Sequence, residues 1–161
     1  MNVHIVHDSQ KGNGKQIAEK LAAEFASRGA HAEVGHRTEL TPEQVAANPP
    51  DLLVVGTAVR KFVTSPPTKR WVSRLGKEMQ RRRAKIPYAA VFFTHMMPDA
   101  MLEGRVLRLQ GLLSRSGGIG EVYTEWLSGQ VKAIPGPLVE GALEQAAAFA
   151  AKLHDWVQPK T

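Results

Sequence analysis

The sequence contains no cysteine, and this absence excludes several kinds of chemistry before any motif is considered. Without thiols the chain forms no disulfide, has no thiolate nucleophile and lacks the sulfur ligands of iron–sulfur and many zinc sites. Any redox chemistry must therefore come from a bound cofactor. The spacing of the histidines and carboxylates matches no metal-ligand motif, so we predict no metal site.

Long apolar runs and internal repeats are also missing. No segment approaches the roughly 18 uninterrupted apolar residues of a membrane-spanning helix, and no basic start leads into the apolar stretch of a secretion signal. We therefore expect a cytoplasmic protein with no transmembrane segment. Its 161 residues are 43% hydrophobic and 22% charged, which predicts a single globular domain over 1–161.

Negative charge is in deficit, with 15 acidic residues against 21 lysines and arginines and a formal net charge of +6. This balance favours anionic partners such as a phosphorylated ligand, an acidic protein, nucleic acid or a membrane surface. Much of the excess lies in and around Arg81–Arg83. No aromatic residues are interleaved with these charges, as a single-strand stacking platform requires. We interpret the run as a solvated helix end and do not expect nucleic acid as a partner.

Short apolar runs alternate with helical patterns along the chain. Val3–Val6, Leu52–Val55 and Ala89–Phe93 are nearly continuous, as in parallel strands covered on both faces. Weaker strands are predicted at Ala32–Val34 and Ile119–Tyr123. Five strands alternating with helices indicate an α/β doubly wound sheet, a three-layer sandwich with helices on both faces.

Helical periodicity and capping residues predict the remaining elements. The first helix has an apolar residue at every fourth position over Ile17–Phe25. Ser65 begins a helix that tolerates prolines in its first turn, and Asp99 caps another. Trp126–Pro137 is predicted as a loop, followed by a closing helix over Leu138–Val157.

Three predicted loops follow strands at the same edge of this sheet: His7–Gly14, Thr57–Ser65 and Thr94–Asp99. Ligands of doubly wound sheets bind outside the carboxyl ends of the strands, where the strand order reverses. We therefore expect the three loops to form one site.

The first loop contains a Gly-rich turn between a strand and a helix, a common way to bind phosphate. A Walker A loop requires Gly, four residues and then Gly-Lys-Ser/Thr, in which the last hydroxyl binds magnesium. Here Ser9 replaces the first Gly and Gln16 replaces the hydroxyl residue. Both departures disfavour a nucleoside triphosphatase.

The stretch Val3–Phe25 resembles the first strand, phosphate loop and first helix of the flavodoxin family. The resemblance continues through Asp51–Thr57, which matches the third strand running into the first flavin loop, and through Gly136–Gly141, which opens the last helix. It covers essentially 1–157 and is similar to the short-chain form. It implies a five-stranded parallel sheet in the order 2-1-3-4-5 and the cofactor FMN.

The resemblance also implies which residues bind FMN. The first loop would hold the phosphate, with Ser9 as a hydroxyl donor and Gly14 in place of the family's usual Thr; its residues are Ser9, Gln10, Lys11, Gly12, Asn13, Gly14 and Lys15. The other two loops would hold the isoalloxazine ring through Thr57, Ala58, Val59, Arg60, Phe62, Thr94, His95, Met96 and Met97. No catalytic residue is assigned.

Three functions remain open from the sequence. The first is an FMN-binding electron-transfer protein that serves a redox partner protein or a small-molecule electron acceptor. The second is an oxidoreductase similar to the quinone-linked protoporphyrinogen oxidases, whose first flavin loop is similar to Gly56–Arg60. The third is a binding module that has lost the flavin. Because carriers of this family are typically acidic, the basic balance favours the second function or an unusual partner.

Overall fold

The apolar runs of the sequence form a central sheet in the computed structural model, which describes residues 1–133 and 135–159. Its strands are β1 (Asn2–His7), β2 (His31–His36), β3 (Leu52–Arg60), β4 (Val63–Thr64), β5 (Ile86–His95), β6 (Ile119–Val122) and β7 (Leu127–Gln130). The helices are α1 (Asn13–Ser27), α2 (Pro42–Ala47), α3 (Pro66–Arg82), α4 (Glu103–Arg115) and α5 (Ala142–Val157). A short 3₁₀ helix spans Asp99–Met101.

The strand order is β2-β1-β3-β5-β6, and neighbouring strands along this path are parallel. Because β4 is a short hairpin partner of β3, this order is the predicted 2-1-3-4-5, which is confirmed. Two strands lie off the path: β4 pairs antiparallel with β3, and β7 pairs parallel with β5. β6 pairs with the start of β5 and β7 with its end, so together they occupy the fifth position.

Alternate residues of the central strands enter two separate cores. Ile5 and Val54 belong to one core, beneath α1 and α5, whereas Val6 and Val55 belong to the other, beneath α2, α3 and α4. All four side chains are almost fully buried. A strand buried on both faces needs apolar side chains at successive positions, because these point to opposite faces of the sheet. This explains the continuous apolar runs.

Three predicted elements need correction. The segment Trp126–Pro137 is not a loop throughout, because it contains β7. The closing helix begins at Ala142 rather than Leu138, since Leu138 forms a β-bridge with Val131. Asp99 does not cap α4: it starts the 3₁₀ helix, and its carboxylate accepts a hydrogen bond from the Ser128 hydroxyl.

Candidate functional site

A cavity of about 470 Å³ opens at the carboxyl edge of the sheet. Four segments wall it: the three predicted loops and the chain that follows β7. Thirteen of the predicted site residues line it, namely Ser9, Gln10, Lys11, Asn13, Gly14, Ala58, Val59, Arg60, Phe62, Thr94, His95, Met96 and Met97. A volume of this size falls within the range of small-molecule and cofactor sites.

Three predicted residues do not line the cavity. Gly12 is the N-cap of α1 and Lys15 extends towards Glu19, 4.0 Å away. Thr57 is buried, and its hydroxyl donates to Asp8. Four further lining residues were not predicted, namely Lys61, Val131, Ala133 and Pro135. The last three lie in the segment predicted as a loop, whose apolar and proline residues gave no signal that it closes a site.

The N-terminus of α1 forms one end of the cavity. Gly12 has a φ of 94°, a left-handed conformation that glycine adopts easily, and it provides no side-chain cap. In the described part of the chain, the N–H groups of Asn13, Gly14 and Lys15 donate no hydrogen bond. No acidic residue occupies the first turn. This end therefore presents free donors and the positive end of the helix dipole.

Ser9 shapes the turn that leads into this helix. Its hydroxyl oxygen accepts the Gly12 N–H at 2.9 Å, which leaves the hydroxyl proton free to donate to another group. Its own N–H donates to Nδ1 of His7 at 3.2 Å, so the His7 ring carries its proton on Nε2. Burial, followed by the neighbouring His36 ring, lowers the pKa of His7 and keeps it neutral.

A buried carboxylate lies beneath the loops. Asp8 is 4% exposed, and its oxygens accept from the Thr57 and Thr68 hydroxyls at 2.7 Å each and from the Ala58 N–H at 3.1 Å. The Arg60 guanidinium donates to the Asp8 carbonyl at 3.0 Å and lies 3.8 Å from its carboxylate. The carboxylate of Asp8 is thus held by donors of the protein.

The second wall is a β-hairpin rather than an irregular loop. β3 continues to Arg60, and Lys61 and Phe62 form a two-residue turn with φ values of 49° and 64°. Two positive φ values in a row normally require Asn or Gly, so this turn is strained. Arg105 of α4 holds it, donating to the Phe62 carbonyl through Nε at 3.1 Å and Nη2 at 2.6 Å.

Four exposed apolar side chains are called the mouth patch: Phe62 and Met96 at the cavity, Val63 next to Phe62 in the hairpin, and Met101 in the 3₁₀ helix. Phe62 is 69% exposed and Met96 48% exposed, and both line the cavity. Arg105 links the hairpin to the 3₁₀ helix, because it also donates to the Met101 carbonyl at 3.0 Å. Clustered exposed apolar groups of this kind mark interaction sites.

Neither a metal site nor a membrane-spanning helix is found in the described residues, 1–133 and 135–159. No cluster of three or more histidine or carboxylate side chains in these ranges could hold a metal ion. None of the helices described there is long and apolar enough to cross a membrane.

No family model matches the chain, and no curated protein matches it in sequence. Solved structures do match. A flavodoxin from the domain Archaea superposes with a TM-score of 0.73 at 13% identity, covering 98% of this chain and 99% of that one. The flavodoxin of Streptococcus pneumonia TIGR4 gives a TM-score of 0.74 at 16% identity, with coverages of 97% and 99%.

A larger protein contains the same arrangement. The rubredoxin oxygen:oxidoreductase from Desulfovibrio gigas matches 97% of this chain with 36% of its own, at a TM-score of 0.73 and 14% identity. The topology, the position of the cavity at the reversal of strand order and these superpositions agree with one another. The chain has the flavodoxin fold.

Proposed function

We propose that the protein binds FMN in this cavity and transfers electrons. The observation that carries the proposal is the division of the cavity into two unlike ends. One end presents the free N–H groups of α1, the Ser9 hydroxyl and Lys11, a donor set that suits a phosphate. The other walls are mainly apolar, with Val59, Met96 and Met97 available to a flat ring.

The donor set fits FMN in charge as well as in shape. Nothing acidic stands in the first turn of α1, and the Asp8 carboxylate is occupied by hydrogen bonds from Thr57, Ala58 and Thr68. When bound, FMN supplies reversible electron transfer at its ring. The residues of this chain bind the phosphate, cover the ring and exclude water. The similarity to solved flavodoxin structures supports the same function.

The first experiment compares FMN with riboflavin, which lacks the phosphate. Fluorescence titration of the purified protein should give an affinity for FMN at least tenfold above that for riboflavin, because phosphate contacts are charge-assisted hydrogen bonds. Lys11→Ala should weaken FMN binding and leave riboflavin binding unchanged. Lys77→Ala, an exposed lysine of α3 that does not line the cavity, is the matched control. Equal affinities for the two flavins would contradict the proposal.

The mouth patch supports electron transfer to an acidic partner. Lys61 lies in the hairpin turn beside Phe62, so positive charge adjoins the exposed apolar surface. An acidic redox protein would meet complementary charge there, which accelerates association at low salt.

The partner preference is tested with the reduced, FMN-loaded protein. It should reduce an acidic b-type cytochrome faster than basic cytochrome c, and the difference should shrink as salt is added. Lys61→Glu should remove the preference, whereas Lys77→Glu makes the same charge change on α3 and should keep it. Steady turnover of a quinone or a porphyrinogen, without any preference between the cytochromes, would instead identify an oxidoreductase.

A further inference from the structure

Three polar side chains form a hydrogen-bonded row beside the cavity. His95 ends β5 and lines the cavity, yet its side chain has no exposed surface. Its Nε2 lies 2.8 Å from the Ser128 hydroxyl on β7. That hydroxyl donates to Oδ1 of Asp99 at 2.6 Å, and the Asp99 side chain is 60% exposed. The row therefore runs from solvent to a buried imidazole at the cavity wall.

This row fixes the tautomer of His95. A carboxylate only accepts hydrogen bonds, so Ser128 gives its single proton to Asp99. The Ser128 oxygen must then accept from Nε2, which means that the neutral ring carries its proton there. Nδ1 is left with a free lone pair, and this atom is buried without a partner in the described chain. Such an atom is available to take up a proton.

Few charged groups face the imidazole. Asp99 contributes the nearest charge, with Oδ1 at 3.4 Å from Nε2. β7 contains no charged residue, and the Trp126 ring, 6.1 Å away between centroids, is uncharged. On β3, Ala58 pairs with Thr94, and the next charged residue, Arg60, is directed at Asp8. Lys11 and Lys61 reach the cavity from its other walls.

The surroundings hold His95 neutral while permitting it to charge. Burial is the largest influence and lowers the pKa of His95. Asp99 and the Met97 carbonyl act in the opposite direction, because both stabilise the protonated ring. A group balanced in this way responds to a change of charge beside it.

We infer that His95 takes up a proton from solvent when negative charge enters the cavity, and so compensates the electron placed on the bound flavin. The inference rests on the proposed function for the source of that charge. Nδ1 of His95 forms an N–H bond with a proton released by water or buffer, and the imidazole itself gains no electron. The electron comes from a one-electron donor and goes to the flavin. Asp99 then faces an imidazolium through Ser128.

The test compares the pH dependence of the flavin midpoint potential in the wild type and in His95→Gln. In the wild type the potential should become more negative as pH rises through the titration of His95 in the reduced protein. The His95→Gln variant should lose this pH-dependent part of the potential curve, although its amide can still donate to Ser128. Asp99→Asn, an exposed change, should shift the pH-dependent part to lower pH without removing it. His154→Gln on α5 is the control and should match the wild type.

A second readout follows the imidazole itself. Side-chain NMR titration should give a higher pKa for His95 in the reduced protein than in the oxidised protein. In FMN-free protein, Asp99→Asn should lower the pKa of His95. An unchanged potential profile in His95→Gln, or a pKa of His95 indifferent to Asp99→Asn, would overturn the inference. Failure to bind FMN would contradict the proposed function. The titration of FMN-free protein would still show whether Asp99 influences the pKa of His95 through Ser128.

Discussion

At the scale of single residues, Asp8 joins the three elements that meet beneath the cavity. It follows β1 and accepts from Thr57 and Ala58 at the end of β3 and from Thr68 on α3. Sequence reasoning placed Asp8 in the first loop but not its partners, because they stand 49 to 60 residues away. A hydrogen bond between distant polar residues leaves no periodic pattern in the sequence.

Asp8→Ala should destabilise the protein by about 3–5 kcal/mol, because two buried hydroxyls and one N–H lose their acceptor. Asp8→Asn should cost less, since the amide can still pair with rotated threonine hydroxyls. Urea unfolding of the FMN-free protein measures both. A loss below about 1 kcal/mol for Asp8→Ala would mean that water replaces the carboxylate without cost.

Gly14 offers a second test at this scale. A Cβ at this position would lie 3.4 Å from the Ser9 Cβ, an ordinary contact, so a side chain is tolerated. Gly14→Thr should add a hydroxyl donor for phosphate and tighten FMN binding by roughly tenfold or more. Gly14→Ala is the control: both variants should stabilise α1, but Ala should leave FMN affinity unchanged. Unchanged or weaker FMN binding by Gly14→Thr would show that the phosphate lies elsewhere.

At the scale of elements, the sequence predicted the three strongly apolar strands and the weaker β2 and β6, but it missed β4 and β7. β7 has the sequence Leu-Ser-Gly-Gln and contributes one large apolar side chain, so the sequence shows no pattern that would predict a buried strand. Gly129 shows why the strand is built this way: a Cβ there would lie 2.3 Å from Ile17 of α1. Close packing of a helix on the strand, not hydrophobicity, selects the residue.

The β3–β4 hairpin was equally hidden, because its turn lacks the usual Asn-Gly signal. Phe62→Gly should relieve one strained residue and stabilise the protein by about 1 kcal/mol. The same change removes an apolar wall of the cavity, so FMN affinity should fall. Arg83→Gly is the matched control, since Arg83 also has a positive φ, 53°, at the end of α3.

Thermal unfolding and FMN titration separate the two effects. Arg83→Gly should gain similar stability and keep its FMN affinity. If Phe62→Gly lost stability, the Phe62 side chain would be holding the hairpin through contacts that outweigh the backbone strain.

At the scale of the whole molecule, the order of apolar runs predicted the doubly wound sheet and the family resemblance predicted its strand order, whereas neither predicted the closure of the cavity. Local patterns and the right-handed crossover restrict the strand orders open to such a chain but do not select one of them. The wall formed by Val131, Ala133 and Pro135 depends on β7 pairing beside the end of β5. That pairing joins strands that are distant in the sequence, so it can be seen only in the folded structure.

Three buried histidines also act together on the scale of the molecule. His4, His7 and His95 are each at most 6% exposed, and burial is the leading cause that lowers the pKa of all three. In the unfolded chain a histidine titrates near pH 6.5. Below that pH these histidines bind protons in the unfolded state but remain neutral in the folded state. Their contribution is therefore fully present above about pH 6.5 and is lost as pH falls through this value towards the folded-state pKa values.

The free energy of unfolding in FMN-free protein should consequently decrease from pH 7.5 to pH 5.5, by at most about 1.4 kcal/mol per pH unit for each histidine. Urea unfolding at several pH values measures the slope. His95→Gln should flatten the pH dependence in part, because it removes one of the three buried imidazoles. A stability that is constant over this range would mean that the buried imidazoles charge in place, with water or backbone carbonyls stabilising the cations as well as solvent does in the unfolded chain.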